Sequence, residues 1–248
     1  IGAKPSSNTI YRINATPNDP LYSLQWNLSK ISAPAGWDIT KGNAEVKVAV
    51  IDGGFALNHE DLINKFDLAG GYDFVHNDST PNAGQDNPAG AGVSHATVVS
   101  GLVGASTDNS LGVAGIGWNI GIIPIQSMND DGVGDTATVA SGIYHAISAG
   151  AKVINMSLGS PSDDPVLKAA VDSAISNGVS VVAAAANDGC NCIEYPANYP
   201  AVVAVGATDS NDIRASFSNY GSNLDLVAPG SGTLRSTSYS AANPTSLY

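Results

Sequence analysis

The sequence predicts an α/β domain built on a doubly wound, mostly parallel sheet with helices on both faces. Three observations lead there. Short runs of β-branched and apolar residues recur from about residue 45 onward, each nearly continuous, as suits strands buried on both sides. Between several of them lie stretches with helical spacing, opened by capping residues and closed by glycines. Strand–helix–strand alternation folds through right-handed crossovers into a parallel sheet covered on both sides.

The elements follow in order. Residues 1–44 lack the alternation; Pro5, Pro17, Pro20 and Pro34, with Ser and Asn between them, read as an extended lead-in lying on the domain surface. The first strand is Val46-Lys47-Val48-Ala49-Val50-Ile51, running into Asp52-Gly53-Gly54. A helix of small residues starts at the histidine of Ser94-His95-Ala96-Thr97-Val98-Val99-Ser100-Gly101. Residues 120–125 form the next strand. In 135–149, Val139, Ile143, Ala146 and Ile147 make one buried stripe, and Gly150 ends the helix. After the strand 152–156, Asp164 caps a helix with Pro165 at its first position, where the missing N–H costs nothing. Leu167, Ala170, Val171, Ala174 and Ile175 line its buried face, and Gly178 stops it. Residues 179–186 and 201–205 supply the remaining strands.

Composition narrows the function. Of 248 residues, 43% are hydrophobic and 13% charged, which excludes a disordered acidic tail. No run reaches the ~18 apolar residues of a membrane span. Ten Lys and Arg against 22 Asp and Glu leave a net charge of −12, which repels phosphate backbones and disfavours nucleic acid as a partner. Few lysines on an acidic chain fit an exported bacterial or archaeal protein; the export signal is expected outside these residues. Cys190 and Cys192 are too few for a disulfide framework, and no CxxC or HxxxH spacing completes a zinc site. Two readings stay open for them, free thiols in a loop or a strained local bridge.

Parallel α/β sheets carry their chemistry at the carboxyl ends of the strands. There the sequence places Asp52 after the first strand, His95 at a helix start and Asn187 after Ala183-Ala184-Ala185-Ala186. Each alone has an ordinary reading: a turn carboxylate, a capping or packing histidine, a turn asparagine. Together they are the parts of an acyl-transfer site: an acid that orients a histidine, the histidine as general base, and an amide donor for an oxyanion.

The order Asp, His, then Ser is the chain order of the subtilisin-like triad, and the sequence resembles the subtilisin-like serine proteases (subtilases), most of all their thermitase-type branch. The motifs are Asn18-Asp19-Pro20-Leu21-Tyr22 with Gln25-Trp26, the Asp52 and His95 segments, Ser157-Leu158-Gly159, the 184–189 segment, Tyr195-Pro196-Ala197 and Val227-Ala228-Pro229-Gly230. The resemblance implies a subtilase catalytic domain over 18–248 and a lead-in over 1–17, in which residues 4–11 resemble the tail of a propeptide. It implies a secreted serine endopeptidase in which Asp52 orients His95 and Asn187 stabilises the oxyanion. It also implies Ca2+ held by Asp19, Asp61, Asn109 and the carbonyls of Thr107, Leu111 and Val113, a hard-cation donor set. A polypeptide substrate is expected to lie as an added strand between Gly132-Val133-Gly134 and Ser157-Leu158-Gly159, with Glu194 at the base of the first specificity pocket. The Tyr195–Pro196 bond is expected cis and Tyr199–Pro200 trans.

The sequence also departs from the family. Ser94, Ala96 and Val98 replace glycine, glycine and histidine of the His motif, Gly53 follows Asp52 where Ser or Thr is usual, and Ala186 replaces the glycine before Asn187. The nucleophile motif Gly-Thr-Ser-Met-Ala-x-Pro does not occur; its place falls just past Tyr248, and Ser240-Ala241-Ala242-Asn243-Pro244 is an imperfect imitation. The fold is thus expected to be incomplete at its C-terminus and the 248 residues alone inactive, with the serine carried by a complementary C-terminal chain or segment. An alternative is a non-catalytic subtilase-like domain that binds a peptide or partner. A nucleotide-binding doubly wound domain is disfavoured, because no G-x-G-x-x-G loop occurs.

Overall fold

The computed structural model describes residues 15–85, 94–232, 234–240 and 247–248. The apolar run around Val50 forms strand β1 (Lys47–Asp52), and six further strands join it: β2 (Tyr72–Asp73), β3 (Gly121–Gln126), β4 (Val153–Met156), β5 (Ser180–Ala184), β6 (Val203–Thr208) and β7 (Leu226–Pro229). Their order across the sheet is β2-β3-β1-β4-β5-β6-β7, and every pairing is parallel. All strands therefore end along one edge. The chain steps from β1 to β3 on one side and then to β4 on the other, so the strand order reverses at Asp52, the place where such sheets open a crevice.

Side chains alternate across β1. Ala49 and Ile51 face a layer formed with Ile125, Ile143, Ile154, Met156, Ala170 and Val171, packed beneath helices α4 (Thr136–Ser148) and α5 (Pro165–Ser176). Val50 faces the other way, with Phe55, Leu62, Ala96 and Ile122, beneath helix α3 (His95–Gly104). The expected arrangement of helices on both faces is observed. The expected caps are also observed. Asp164 Oδ1 accepts from the backbone of Val166 and Leu167, and Asp135 forms a capping box with Thr138. Gly150 and Gly178 take the left-handed conformation after α4 and α5, at φ 83° and 73°.

The lead-in differs from expectation within its described part. Residues 15–44 are not simply extended on the surface: they form two short helices, α1 (Trp26–Lys30) and α2 (Ala33–Trp37), with Pro34 in the first turn of α2. Leu28, Ala33 and Trp37 build a small third core with Ala114 and Trp118, and the rings of Trp37 and Trp118 meet edge to face at 5.1 Å. Pro34, which reads as a breaker, sits where a helix begins, and the tryptophans supply enough apolar area to fasten the segment down. Residues 4–11, with their propeptide-like pattern, and 241–244 of the serine-motif imitation lie outside the described residues. Two strands escaped the hydrophobic pattern: β2 has two residues, and β7 exposes Leu226 and Val227 at the sheet edge. No helix among the described residues is long and apolar enough to cross a membrane.

Candidate active site

Asp52 is the last residue of β1 and is 1% exposed. A carboxylate there needs partners. Its Oδ1 accepts from the backbone of Gly53 at 2.7 Å, and both oxygens face His95 Nδ1, Oδ2 at 2.8 Å and Oδ1 at 3.0 Å. His95 opens α3, and Ser94 fixes that entry by capping Thr97 N while its hydroxyl donates to Gly54 O at 2.7 Å. The serine that departs from the family glycine thus ties the histidine-bearing helix to the loop after Asp52. With Nδ1 committed to Asp52, the imidazole presents Nε2 outward; its side chain is 59% exposed. The hydrogen bond to Asp52 raises the His95 pKa above 6.5, outweighing burial, which lowers it.

An open cleft of about 420 Å³ lies in front of the pair, walled by Met128–Gly132 on one side and Ser157, Leu158 and Gly159 on the other. A second depression continues it between Gly132, Val133, Gly134 and Leu158, Gly159 and Tyr195. The two segments expected to hold a peptide therefore face each other across one groove. The backbone groups of Ser157, Leu158 and Gly159 have no hydrogen-bond partner among the described residues, as an edge awaiting an added strand requires. Val133 is already engaged, giving its N–H to Asn129 Oδ1 and its carbonyl to Asn129 N.

Asn187 follows β5 at the same edge of the sheet, separated from Asp52 by β4. It does not wall the Asp52–His95 cleft but lines a smaller depression with Ala184, Val205, Ser218 and Gly230. Its side-chain amide has no hydrogen-bond partner among the described residues. Ala186 before it adopts φ 79°, a left-handed conformation that explains why glycine is usual at this position. Cys190 and Cys192, three and five residues on, are joined as a disulfide, which settles the two readings of this pair. The Tyr195–Pro196 bond is cis, and it is the one cis bond among the described residues.

Glu194 packs against Gly159, where an added Cβ would meet its Oε2 at 2.5 Å. No cation pairs with it among the described residues, and burial, with a smaller contribution from Asp188, raises its pKa.

The expected metal ligands converge on one loop. Asp61 is fully buried and Asp19 is 4% exposed. Asp61 accepts from Asn109 Nδ2 at 2.7 Å and Val113 N at 3.0 Å, and Asp19 accepts from Asp108 N at 2.8 Å. Burial raises both pKa values, and the Asp19 charge adds to the rise at Asp61. The carbonyls of Thr107, Leu111 and Val113 accept no hydrogen bond from the described residues. Two buried acids, neither ion-paired with Lys or Arg among the described residues, beside three unused carbonyls are a donor set that fits a hard divalent cation. Asn109 shows its amide nitrogen to Asp61 and gives its oxygen to Leu111 N, so ligation through that oxygen needs the amide turned over.

Residues 43–247 match the Subtilase family. Among curated proteins, thermitase of Thermoactinomyces vulgaris is 42% identical over 236 residues, covering 94% of this chain and 81% of thermitase. A thermophilic serine proteinase of Bacillus sp. (strain AK1) is 39% identical, and halolysin of Haloferax mediterranei 38%; the chain spans 53% and 46% of their lengths. Among solved structures, a protease from Pseudoalteromonas arctica PAMC 21717 superposes with a TM-score of 0.79 at 35% identity, over 88% of this chain and 74% of that one.

Proposed function

The chain belongs to the subtilase family, and we propose that it is a secreted, calcium-binding serine endopeptidase that works through Asp52 and His95. The observation that carries this reading is the Asp52–His95 hydrogen bond at the mouth of a peptide-sized groove. Asp52 holds the imidazole as the Nδ1–H tautomer and stabilises its charged form. His95 Nε2 accepts the proton of a serine hydroxyl as its oxygen attacks the scissile carbonyl, and hands it to the leaving amine as the C–N bond breaks. Asn187 donates to the oxyanion. A water, deprotonated by the same imidazole, then cleaves the acyl-enzyme and restores the serine.

The serine comes from a segment or chain other than residues 1–248, since no Gly-Thr-Ser occurs in them; those residues alone hydrolyse no peptide by this route. Asp19, Asp61 and the carbonyls of the 107–113 loop would hold the calcium, whose charge would offset that of the two buried acids and so tie the segment around Asp19 to the loop. The net charge of −12 and the disulfide support an extracellular location.

The test is covalent. With the serine-bearing segment present, a fluorophosphonate probe labels one serine, and His95→Ala suppresses labelling at least a hundredfold. Equal labelling of parent and His95→Ala would overturn the reading in favour of a binding domain.

A further inference from the structure

Asn187 itself is exposed, yet an oxyanion donor must be held to within about 0.5 Å of its productive position. What holds it lies 32 positions away in sequence and is fully buried. Asn219 gives its backbone N–H to Ala186 O at 3.0 Å, on one side of Asn187. On the other side its Oδ1 accepts from Asp188 N at 2.8 Å and from Cys190 N at 3.4 Å. Its Nδ2 donates to Asp188 Oδ2 at 3.1 Å and to Cys192 O at 2.9 Å. Only this orientation of the amide satisfies two backbone donors and two acceptors together.

The neighbours of Asn219 tighten the same joint. Gly189 N donates to Phe217 O at 2.6 Å and Tyr220 N to Cys190 O at 2.9 Å. Gly189, at φ 69°, approaches so closely that a Cβ would meet Ser216 O at 2.5 Å. The disulfide closes residues 190–192 on themselves. Both peptides flanking Asn187 are thus fixed by one buried side chain and its own backbone, including the left-handed Ala186.

The geometry points to Asn219 as a positioning residue for the oxyanion donor Asn187. This inference rests on the acyl-transfer reading and adds to it the group that aims the amide. Losing an oxyanion donor costs about 10²–10³ in kcat, a magnitude established on subtilisin itself; loosening its mount costs some fraction of that.

The test is a double-mutant cycle in the enzyme carrying its serine segment. Asn219→Ala lowers kcat at least tenfold with KM within about twofold, whereas in an Asn187→Ala background the same change alters kcat less than threefold. Asn219→Asp sets two carboxylates face to face and also lowers kcat. Adding Asp188→Asn reverses the donor and acceptor of that contact and recovers at least a third of the loss on a logarithmic scale. Thermal midpoints of all variants identify any that do not fold, and the exchange pair reads the contact even if Asn219→Ala fails. Should Asn219→Ala fold and keep kcat within twofold while Asn187→Ala loses a hundredfold, the inference is wrong and the acyl-transfer reading stands. Should Asn187→Ala itself keep full kcat, the oxyanion assignment falls and the inference with it.

Discussion

Asp19 and Asp61 close on Asn109 from two sides: Asp19 Oδ1 accepts from its backbone N at 3.4 Å, and Asp61 Oδ1 from its side-chain nitrogen at 2.7 Å. The pairing joins the lead-in to the 107–113 loop through two acids that burial makes reluctant to ionise. Because their folded pKa values are raised, the two groups favour folding at acid pH and oppose it once pH rises through those values. A divalent cation bound there would offset that opposition.

Chelation is accordingly expected to destabilise the protein most at neutral pH and progressively less on acidification. With calcium at 100 times Kd, the stabilisation is about 2.7 kcal/mol, which corresponds to roughly 5–10 °C in Tm for a domain of this size. Asp61→Asn abolishes the calcium dependence. Melting curves with calcium and with chelator at pH 5 and pH 7.5 measure it, and identical curves would dismiss the site.

Glu194 bears on specificity. Its carboxylate, beside Gly159 and paired with no cation among the described residues, is expected to favour a basic side chain in the first specificity pocket. Glu194→Gln should lower kcat/KM for peptides with Arg or Lys before the scissile bond about tenfold relative to those with Leu or Phe, which corresponds to about 1.4 kcal/mol. A ratio unchanged by the substitution would assign Glu194 a packing role.

Ala186 tests the backbone at the oxyanion turn. At φ 79° an alanine bears a left-handed penalty that glycine escapes, partly offset by the greater unfolded-state freedom of glycine. Ala186→Gly should therefore stabilise the fold by about 0.5–1 kcal/mol, read as a higher denaturant midpoint at unchanged m-value. A lower midpoint would show that the turn is not strained.

Much of this was legible in the sequence because local chemistry agrees with the fold. The runs ending at Asp52 and before Asn187, and the capped helices after Asp135 and Asp164, announce themselves by period and punctuation. Asp52 and His95 were legible as a pair only through the order and company of their motifs, since a separation of 43 positions says nothing about contact. The helical lead-in was hidden by its prolines, because its burial depends on Trp118, far along the chain. Asn219 was invisible: an asparagine in Ser218-Asn219-Tyr220-Gly221 looks like any turn residue until the 186–192 loop is folded against it.

The proposed reaction needs Asp52 and His95 to work as one acid–base unit, and the pH dependence of kcat/KM reads that coupling out. Only the neutral imidazole can take the serine proton, and the Asp52 hydrogen bond raises its pKa above 6.5, so activity should rise through an apparent pKa above that value. In Asp52→Asn the limb should move to lower pH and the plateau fall about 10⁴-fold. A limb that stays in place, with a loss of less than tenfold, would show that Asp52 and His95 do not act as one unit.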